Sequence, residues 1–444
     1  MSLGIRYITQ VFDKETNKVI EEKVQQEHAV DFASDINELG LRHREQIKLV
    51  EESQNMFLKY QCQLFSDKNL CPKCGRKLSK SGIFYSDFHD ILTDHIVAIQ
   101  RLVCTCGWRN KFTIKGIFGS ASHPELLRKQ LATGCDHSYE KSASILNSES
   151  GIERSINNAS TLRKQVKKYG NTLNDIKLDE SWTEPEACSS ELIAEVDGGH
   201  IQYVEKGKHS FEEMLATVFK PEDLKAVSYD KNKIEDKICV GSALSDKQTT
   251  IKQLTINACK KMGMNEKTDI IALSDGAKNC WPVLEVLKPY CKSFTTILDW
   301  FHVGKHFKSR ENKIPEELKE KYNKAKWHLW HGHPITGLMR LEQIRKEVHD
   351  PKAQEVIDWL INYINNNKQH IVDYFQRHLK DQVICSQTAE TTVNNVINAR
   401  QKNQQMRWSR DGAHSVIQIR TSLYCKSWDK DWELLKSMIY KNAA

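Results

Sequence analysis

The amino-acid sequence predicts an α/β fold that is extended by an all-helical segment, and three observations carry this prediction. Short apolar runs at residues 192–196 and 270–273 end in glycine, as buried strands do. An amphipathic helical pattern at residues 249–264 lies between these two runs. From residue 313 to about 381 the pattern is helical throughout. The chain therefore combines a sheet region with a long helical block.

Both apolar runs end at an aspartate. LIAEVDGG places Asp197 before two glycines, and DIIALSDGAKNCW places Asp275 before Gly276. A single Asp-Gly pair usually marks a turn. Two such pairs, each after a comparable strand, predict two carboxylates side by side at the mouth of one sheet, an arrangement that suits Mg²⁺. We therefore expect a metal-dependent active site.

The bulk composition limits the class of protein. A length of 444 residues allows two to four domains, and the hydrophobic share of 39% is ordinary for a globular chain. No apolar run approaches the roughly 20 residues of a membrane helix, and the first residues lack a signal-peptide pattern. We therefore expect a cytoplasmic protein with no membrane partner. The formal net charge of +7 permits a polyanionic partner without demanding one.

Residues 1–66 predict a β-hairpin followed by helices, and residues 67–120 predict a zinc ribbon. The thirteen cysteines are odd in number, and only four lie in tight pairs, which favours reduced thiols with one metal site over disulfides. These four, in CPKCG and CTCGW, are Cys71, Cys74, Cys104 and Cys106. We expect them to bind one structural Zn²⁺, with strands at residues 96–104 and 108–118 forming the ribbon hairpin. His89 and His95 are possible substitute ligands, and free buried cysteines are the alternative.

Residues 121–170 predict a helix-turn-helix DNA-binding domain. Helical patterns at residues 124–135 and 139–149 precede a break at Gly151 and a third helix ending in basic residues. Near the start of that helix Asn157 and Asn158 are expected to contact base edges. Four side chains are expected to face phosphates: Arg163, Lys164, Lys167 and Lys168. The alternative is a helical spacer with a solvated basic face. Residues 171–190 are polar and predict a linker.

From residue 191 the predicted order is three strands, then helix, strand, helix, strand, helix. That is the order of a ribonuclease-H-like mixed sheet, in which carboxylates at the ends of the first and fourth strands meet. We expect this α/β catalytic core to occupy residues 191–310 and to be interrupted by a helical insertion at residues 311–384. Residues 385–444 then complete the core with its last helix and a C-terminal helix.

The chain resembles the bacterial insertion-sequence transposases with an Asp-Asp-Glu triad, in particular their Mutator-like branch. Five stretches carry the resemblance, which covers residue 71 to about 423: AEVDGGH, LSDGAKNCW, ILDWFHVGKH, AETTVNNVINARQ and MRWSRDGAHSVIQIR. It implies that Asp197, Asp275 and Glu390 bind two catalytic Mg²⁺ ions. The chemistry agrees, because two metals held by carboxylates can drive an in-line displacement without a protein nucleophile.

Two further groups accompany the triad. Asp299 and His302 match the Asp-x-x-His string of this branch, and they are expected to orient the scissile phosphate or a water. The alternative is that they cap a helix. Arg407 and Arg410 follow the expected catalytic helix and are expected to hold phosphates of the DNA end. An ordinary solvated loop is the alternative there.

The resemblance implies a transposase that binds the terminal inverted repeats of a mobile element and catalyses strand cleavage and strand transfer. Its partners would be double-stranded DNA, both element ends and target, and a second copy of the chain in a homodimer or higher oligomer. Its location would be the bacterial cytoplasm, associated with the nucleoid. Two alternatives remain: a catalytically inactive DNA-binding regulator derived from a transposase, and a metal-dependent nuclease without joining activity.

Overall fold

The computed structural model describes residues 3–185, 187–228, 231–386 and 389–441. These residues form a mixed α and β structure that divides into two compact units. Unit 1 comprises residues 1–166 and 432–444, and unit 2 comprises residues 167–431. In the described part of the chain, no helix is both long enough and apolar enough to cross a membrane.

Unit 1 begins with the expected hairpin and helix. Asp13 closes the hairpin turn, because its side chain accepts the backbone N–H groups of Glu15 and Thr16. The antiparallel strands are β1 (Leu3–Phe12) and β2 (Val19–Val30), and the helix that follows is α1 (His43–Leu64). The prediction for residues 1–66 is confirmed at this level.

The second hairpin differs from the prediction. It pairs β3 (Ser79–His89) with β4 (Asp94–Val103), so both of its strands lie between the two cysteine pairs. The expected strand at residues 108–118 is wrong, because Thr113 accepts the backbone N–H of Gly116 and starts the short helix α2 (Ile114–Phe118). Asp90 forms the hairpin turn by accepting the N–H groups of Leu92 and Thr93, a local signal that the sequence interpretation overlooked.

Three helices follow: α3 (Pro124–Asp136), α4 (Tyr139–Ser150) and α5 (Ala159–Leu178). The first two match the prediction, and Gly151 ends α4 in the left-handed conformation with a φ of +65°. The segment 151–158 is longer than the three- or four-residue turn of a helix-turn-helix motif.

The expected linker at residues 171–190 is wrong over its first half, because α5 continues to Leu178. The helical spacing of apolar side chains continues past residue 170, and Leu173 and Ile176 are buried. Trp182 is also buried, and its indole N–H donates to Asp431. The boundary between the two units falls within α5.

Unit 2 contains a five-stranded mixed sheet, which confirms an α/β core. Its strands are β5 (Glu191–Gln202), β6 (Ser210–Phe219), β9 (Ile238–Ser242), β10 (Asp269–Ser274) and β11 (Ser293–Leu298). A separate hairpin, β7 (Leu224–Ser228) with β8 (Lys231–Ile234), follows β6. The spatial order is β11-β10-β5-β6-β9, in which β5, β10 and β11 are parallel and β6 is antiparallel to both neighbours. The helices between and after these strands are α6 (Thr249–Lys261), α7 (Trp281–Glu285) and α8 (Trp300–Arg310).

The remaining described chain is helical, as predicted for the insertion. The insertion contains α9 (Lys319–Trp330), α10 (Pro334–Glu347), α11 (Pro351–Asn367) and α12 (Tyr374–Leu379). The chain then continues through α13 (Ala389–Val393), a π-helix (Asn394–Lys402), α14 (Arg410–Tyr424) and α15 (Trp428–Ile439).

Arg154 joins the helical part of unit 1 to the β3–β4 hairpin. Its buried guanidinium donates to the carboxylate of Asp94 and to the backbone oxygens of Asp90, Ile91 and Thr93. Burial alone would raise the pKa of Asp94, but hydrogen bonds from His89 and Arg154 outweigh burial and hold it well below its usual value. One buried cation therefore binds three backbone oxygens of the hairpin turn and the carboxylate of Asp94.

Removing the guanidinium of Arg154 should make the β3–β4 hairpin easier to open. We expect Arg154→Met to lower the free energy of opening of β3–β4 by roughly 3 kcal/mol, since Asp94 stays a third exposed and the cost lies at the low end for a broken buried pair. Because the pKa of Asp94 is lowered in the folded state, the difference should persist above about pH 4 and shrink as the pH falls below it. Hydrogen exchange of the full chain measures this, with the exposed Arg163→Met as control. Equal protection in both variants would contradict the assignment.

Candidate active site

The register of the sheet places Asp197 and Asp275 side by side, but only Asp275 follows the end of its strand. The prediction that Gly198 and Gly199 end the first strand is wrong, because β5 continues through both glycines in its pairing with β6. Val196 of β5 pairs with Ser274 of β10, so Asp197 and Asp275 are the next residues on two adjacent parallel strands. Each carboxylate accepts a local backbone N–H, from Gly198 at 2.7 Å and from Ala277 at 2.9 Å. These bonds orient both side chains at the carboxyl end of the sheet.

The charges of the neighbouring acidic groups act on Asp197. Burial, which is the largest cause, raises the pKa of Asp197, and the charges of Asp275 and Glu390 raise it further. The N–H of Gly198 and the charge of His302 act in the opposite direction. A cation among these carboxylates would relieve both the repulsion and the desolvation, so the all-oxygen donor set fits a hard divalent metal.

Glu390 reaches this edge because α13 and the π-helix approach β5 closely at a glycine. A Cβ atom at Gly199 would lie 3.1 Å from Cγ2 of Ile397 and 3.6 Å from Cγ1 of Val393. Val393, Val396 and Ile397 are buried, as the helical spacing predicts. The Glu390 carboxylate is half exposed, and its Oε1 lies 3.5 Å from Nζ of Lys305.

The three carboxylates are neighbours but are not gathered as a finished ligand set. Among the described residues, only the four cysteines place three or more ligand atoms within 4.8 Å of one another. Glu390 pairs with Lys305 instead. A metal held by all three carboxylates would need their oxygens closer together than they lie here.

Asp299 continues the same row, since Leu298 of β11 pairs with Ser274, but its oxygens are bonded within the protein. Asp299 is fully buried; one oxygen accepts the N–H of Phe301 at 2.8 Å, and the other accepts the N–H and hydroxyl of Ser386. It is the N-cap of α8, which matches the capping alternative. His302 lies one turn along, with Nε2 4.0 Å from Asp299 Oδ2 and a side chain that is 17% exposed.

The sequence interpretation missed a fourth acidic side chain, Glu212 of β6. A Cβ at Gly198 would lie 2.8 Å from Glu212 Oε1, so the glycine after Asp197 leaves room for this carboxylate. Asn279, from the stretch after Asp275, donates its side-chain N–H to the same oxygen. Burial first, and then the charges of Asp275, Asp197 and Glu212, raise the pKa of Cys280. The two motif residues Gly198 and Asn279 could have suggested a partner, but only the pairing of β5 with β6 identifies it.

The helical insertion contacts the site through α11. The hydroxyl of Tyr363 donates to the backbone oxygen of Asp275 at 2.8 Å. His306 of α8 lies against the rings of Tyr363 and Trp359, and Arg310 stacks on Trp359 at 3.7 Å. Burial, followed by the charges of Arg310 and His302, lowers the pKa of His306 to about 4, so this ring is neutral near pH 7. The insertion thus supports the strand end that carries Asp275.

In unit 1 the four predicted cysteines form a compact cluster. Cys71 Sγ lies 3.7 Å from Cys106 Sγ, and Cys74 Sγ lies 3.5 Å from Cys104 Sγ. Thiolates around a tetrahedral zinc are roughly 3.8 Å apart when each Zn–S bond is about 2.3 Å. The N–H of Cys106 and then the neighbouring thiols lower the pKa of Cys104 to about 6, which favours metal binding. The four thiols can therefore hold a metal such as zinc.

The proposed substitute ligands lie elsewhere in unit 1. His95 is buried and bonds Asn55, Thr93 and Asp90, and His89 bonds Asp94. Gly75 and Gly107 follow the two cysteine pairs with φ values of +73° and +86°. Each turns the chain so that its N–H reaches the carbonyl of the first cysteine of its pair. The shorter C-x-C pair thus contributes both thiols to the cluster.

The expected base-contacting residues take structural roles. Asn157 is completely buried, and its side-chain oxygen accepts from Gln130 at 2.9 Å, so it cannot reach a base in this arrangement. Asn158 is exposed and caps α5 by accepting the N–H of Thr161 at 2.8 Å. The four basic residues expected to face phosphates are all exposed on α5: Arg163, Lys164, Lys167 and Lys168.

The two arginines that follow the π-helix, Arg407 and Arg410, differ. Arg407 is exposed, as a phosphate contact requires. Arg410 donates to the hydroxyl of Tyr203 and to the backbone oxygen of Ala243, both at 2.8 Å, and its guanidinium lies 4.8 Å from the ring of Phe211. Arg410 therefore fastens the start of α14 to the residues that follow β5 and β9 rather than standing free for DNA.

Comparison with known proteins adds no assignment. No family model matches the chain, and no curated protein matches it significantly. Two side-chain clusters therefore indicate the chemistry of the chain. They are the carboxylates of Asp197, Asp275 and Glu390 in unit 2 and the four cysteines in unit 1.

The cysteine cluster makes a direct prediction about metal content. We expect elemental analysis to find about one zinc per chain, and we expect Cys71→Ser combined with Cys74→Ser to lose it, because two thiolates cannot hold a structural zinc. Cys188→Ser, which changes an exposed cysteine outside the cluster, should keep its zinc. Full zinc content in the double variant would disprove the site.

Proposed function

We propose that this chain is a DNA transposase of the Asp-Asp-Glu class with a ribonuclease-H-like catalytic core. The observation that carries the proposal is the placement of Asp197 and Asp275 at the same level on adjacent parallel strands, beside the helix of Glu390. β5 and β10 are the first and fourth strands of the five-stranded sheet in chain order. Such a core requires carboxylates side by side on those two strands, at the level where β10 ends.

The donor set favours phosphoryl-transfer chemistry. Asp197, Asp275 and Glu390 would hold Mg²⁺, which when bound activates a water or 3′-hydroxyl and stabilises the departing oxygen. Local backbone hydrogen bonds position the two aspartates. His302 favours the ionised form of Asp197, since its charge lowers the pKa of that carboxyl. The charge of His302 thus offsets part of the rise that burial and the neighbouring carboxylates cause in the pKa of Asp197.

DNA binding is proposed for the exposed basic side chains. Arg163, Lys164, Lys167 and Lys168 lie on one helix, where lysine and arginine contact phosphates without reading sequence. Arg407 offers a further exposed cation in unit 2. Because the bases cannot be read by the buried Asn157, recognition of the terminal repeats needs other exposed residues of unit 1. Holding two element ends at once requires at least two copies of the chain.

The catalytic proposal predicts a strict dependence on three carboxylates. Asp197→Asn, Asp275→Asn and Glu390→Gln should each abolish Mg²⁺-dependent nicking and strand transfer, because each removes a metal-binding charge. DNA binding and folding should be unchanged. Lys324→Ala, which alters an exposed residue of α9, serves as the control.

The same assay separates the alternatives. Nicking without strand transfer by the wild-type chain would support a nuclease without joining activity. DNA binding with no nicking in Mg²⁺ or Mn²⁺ would support an inactive regulator. Nicking that survives in all three carboxylate variants would overturn the assigned site.

The basic helix makes a separate prediction. Lys167→Ala with Lys168→Ala should weaken binding to terminal and unrelated duplex DNA alike, and it should reduce the salt slope by nearly one for each phosphate that the helix no longer binds. Lys167 lies 3.4 Å from Asp411, so part of its charge is already compensated, and Lys168 should contribute more. Fluorescence anisotropy at several salt concentrations measures both effects. An unchanged salt slope would exclude these lysines from the DNA interface.

A further inference from the structure

We propose that the groove between α8 and α9 binds single-stranded DNA, namely the unpaired nucleotides next to the scissile phosphate. The groove has a volume of about 570 Å³, within the usual range of ligand sites, roughly 300–1,000 Å³. The inference rests on the proposed function, because it assigns the groove a strand of the same DNA substrate. Neither the triad nor the basic face of α5 uses these residues.

One wall of the groove is a stripe on α8. Phe301, Lys305 and Lys308 follow one another at helical spacing, so they share a face of the helix. Phe301 is 46% exposed, and Lys305 Nζ lies 5.6 Å from its ring. Gly304 lies within this stripe, and a Cβ added there would meet no atom within 4 Å. The groove is therefore open above an accessible aromatic ring.

The floor and the second wall involve α9. The hydroxyl of Tyr322 donates to the backbone oxygen of Phe307 at 2.9 Å, and the two rings pack 5.0 Å apart. Because both side chains are buried, they fix the spacing between α8 and α9. Lys326 lines the groove from α9, so lysines stand on both walls.

Charge and chemistry favour a nucleic-acid strand as the occupant. Lys305, Lys308 and Lys326 outnumber the single acidic residue that lines the groove, Glu311, whose carboxylate already accepts from Asn323. An exposed aromatic ring between lysines is the arrangement with which proteins bind unpaired bases and their phosphates. Paired bases inside a duplex cannot stack on such a ring. The occupant is therefore a single strand.

The position of the groove indicates which part of the substrate enters it. Lys305 belongs to the groove, and its Nζ lies 3.5 Å from Oε1 of Glu390. His302 lies on the same helix beside Phe301, with the two rings 5.5 Å apart. A strand in the groove would thus leave directly from the catalytic carboxylates. A phosphate that binds Lys305 would also compete for the cation that now pairs with Glu390.

The test uses the full chain in EDTA with a fluorescent 15-nucleotide oligothymidine as the probe. We expect Lys308→Ala with Lys326→Ala to raise the Kd at least tenfold and to reduce the salt slope by about 1.4, or about 0.7 for each lysine. Phe301→Ala should also weaken binding but leave the salt slope unchanged. Phe301→Trp should bind as tightly as the wild-type chain, because its ring also stacks on a base. The matched control is Lys319→Ala with Lys324→Ala, two lysines of α9 that pair with Glu316 and Glu320. It should bind within twofold of wild type.

Two results would overturn the proposal: equal oligothymidine binding by the groove variant and its control, or an equal loss of affinity for a blunt duplex, which would make the groove a general duplex surface. Binding in EDTA does not depend on cleavage. If the wild-type chain binds oligothymidine through the groove but never nicks DNA in Mg²⁺, the proposed function fails and the groove assignment stands. If the wild-type chain nicks DNA while the groove variant binds oligothymidine normally, the groove assignment fails and the proposed function stands.

Discussion

The parallel pairing of β5 with β10, and of β10 with β11, is the constraint on which the candidate site depends. Because Val196, Ser274 and Leu298 share one level of the sheet, the next residue of each strand is an aspartate at the same edge. Backbone hydrogen bonds fix this level, so the sheet register sets where the backbone of each aspartate begins. Their roles then divide: Asp197 and Asp275 accept local N–H groups at the edge, whereas Asp299 is buried as a helix cap.

The two glycines after Asp197 let a helix and a neighbouring strand approach the aspartates closely. Gly199 lets the helix of Glu390 approach β5, and Gly198 leaves space for Glu212 from β6. A side chain at either position would have to displace a neighbour, since its Cβ would lie about 3 Å from one. Acidic side chains from β6, from the end of β10 and from α13 therefore lie near Asp197. Burial raises the pKa of Asp197, and the like charges of Asp275 and Glu390 raise it further, because both disfavour the ionised form. Such a site is suited to a divalent cation.

The helices around the sheet also position the site. Tyr363 ties α11 to the strand end at Asp275, and α8 carries His302, His306 and Lys305 along the same edge. Lys305 forms an ion pair with Glu390 beside the two aspartates, and the three carboxylates do not form a compact ligand set. In unit 1 the cysteine cluster is different, because two short turns bring its four thiols together without a large sheet.

Local sequence patterns were sufficient for the features that local physics decides. The hairpin of residues 1–66, helices α3 and α4, the placement of Asp197 beside Asp275 and the four cysteines follow from residue periodicity and turn chemistry, which act over a few positions. The end of the first strand does not, because β5 continues past Gly198 and Gly199 where β6 pairs with it. Tertiary structure decided the rest, because burial and partners come from distant residues. It buries Asn157 against Gln130, binds Asp299 to Ser386 and Arg410 to Tyr203, and extends α5 through the expected linker. It also places Lys305 beside Glu390, a contact between residues 85 positions apart that no spacing rule predicts.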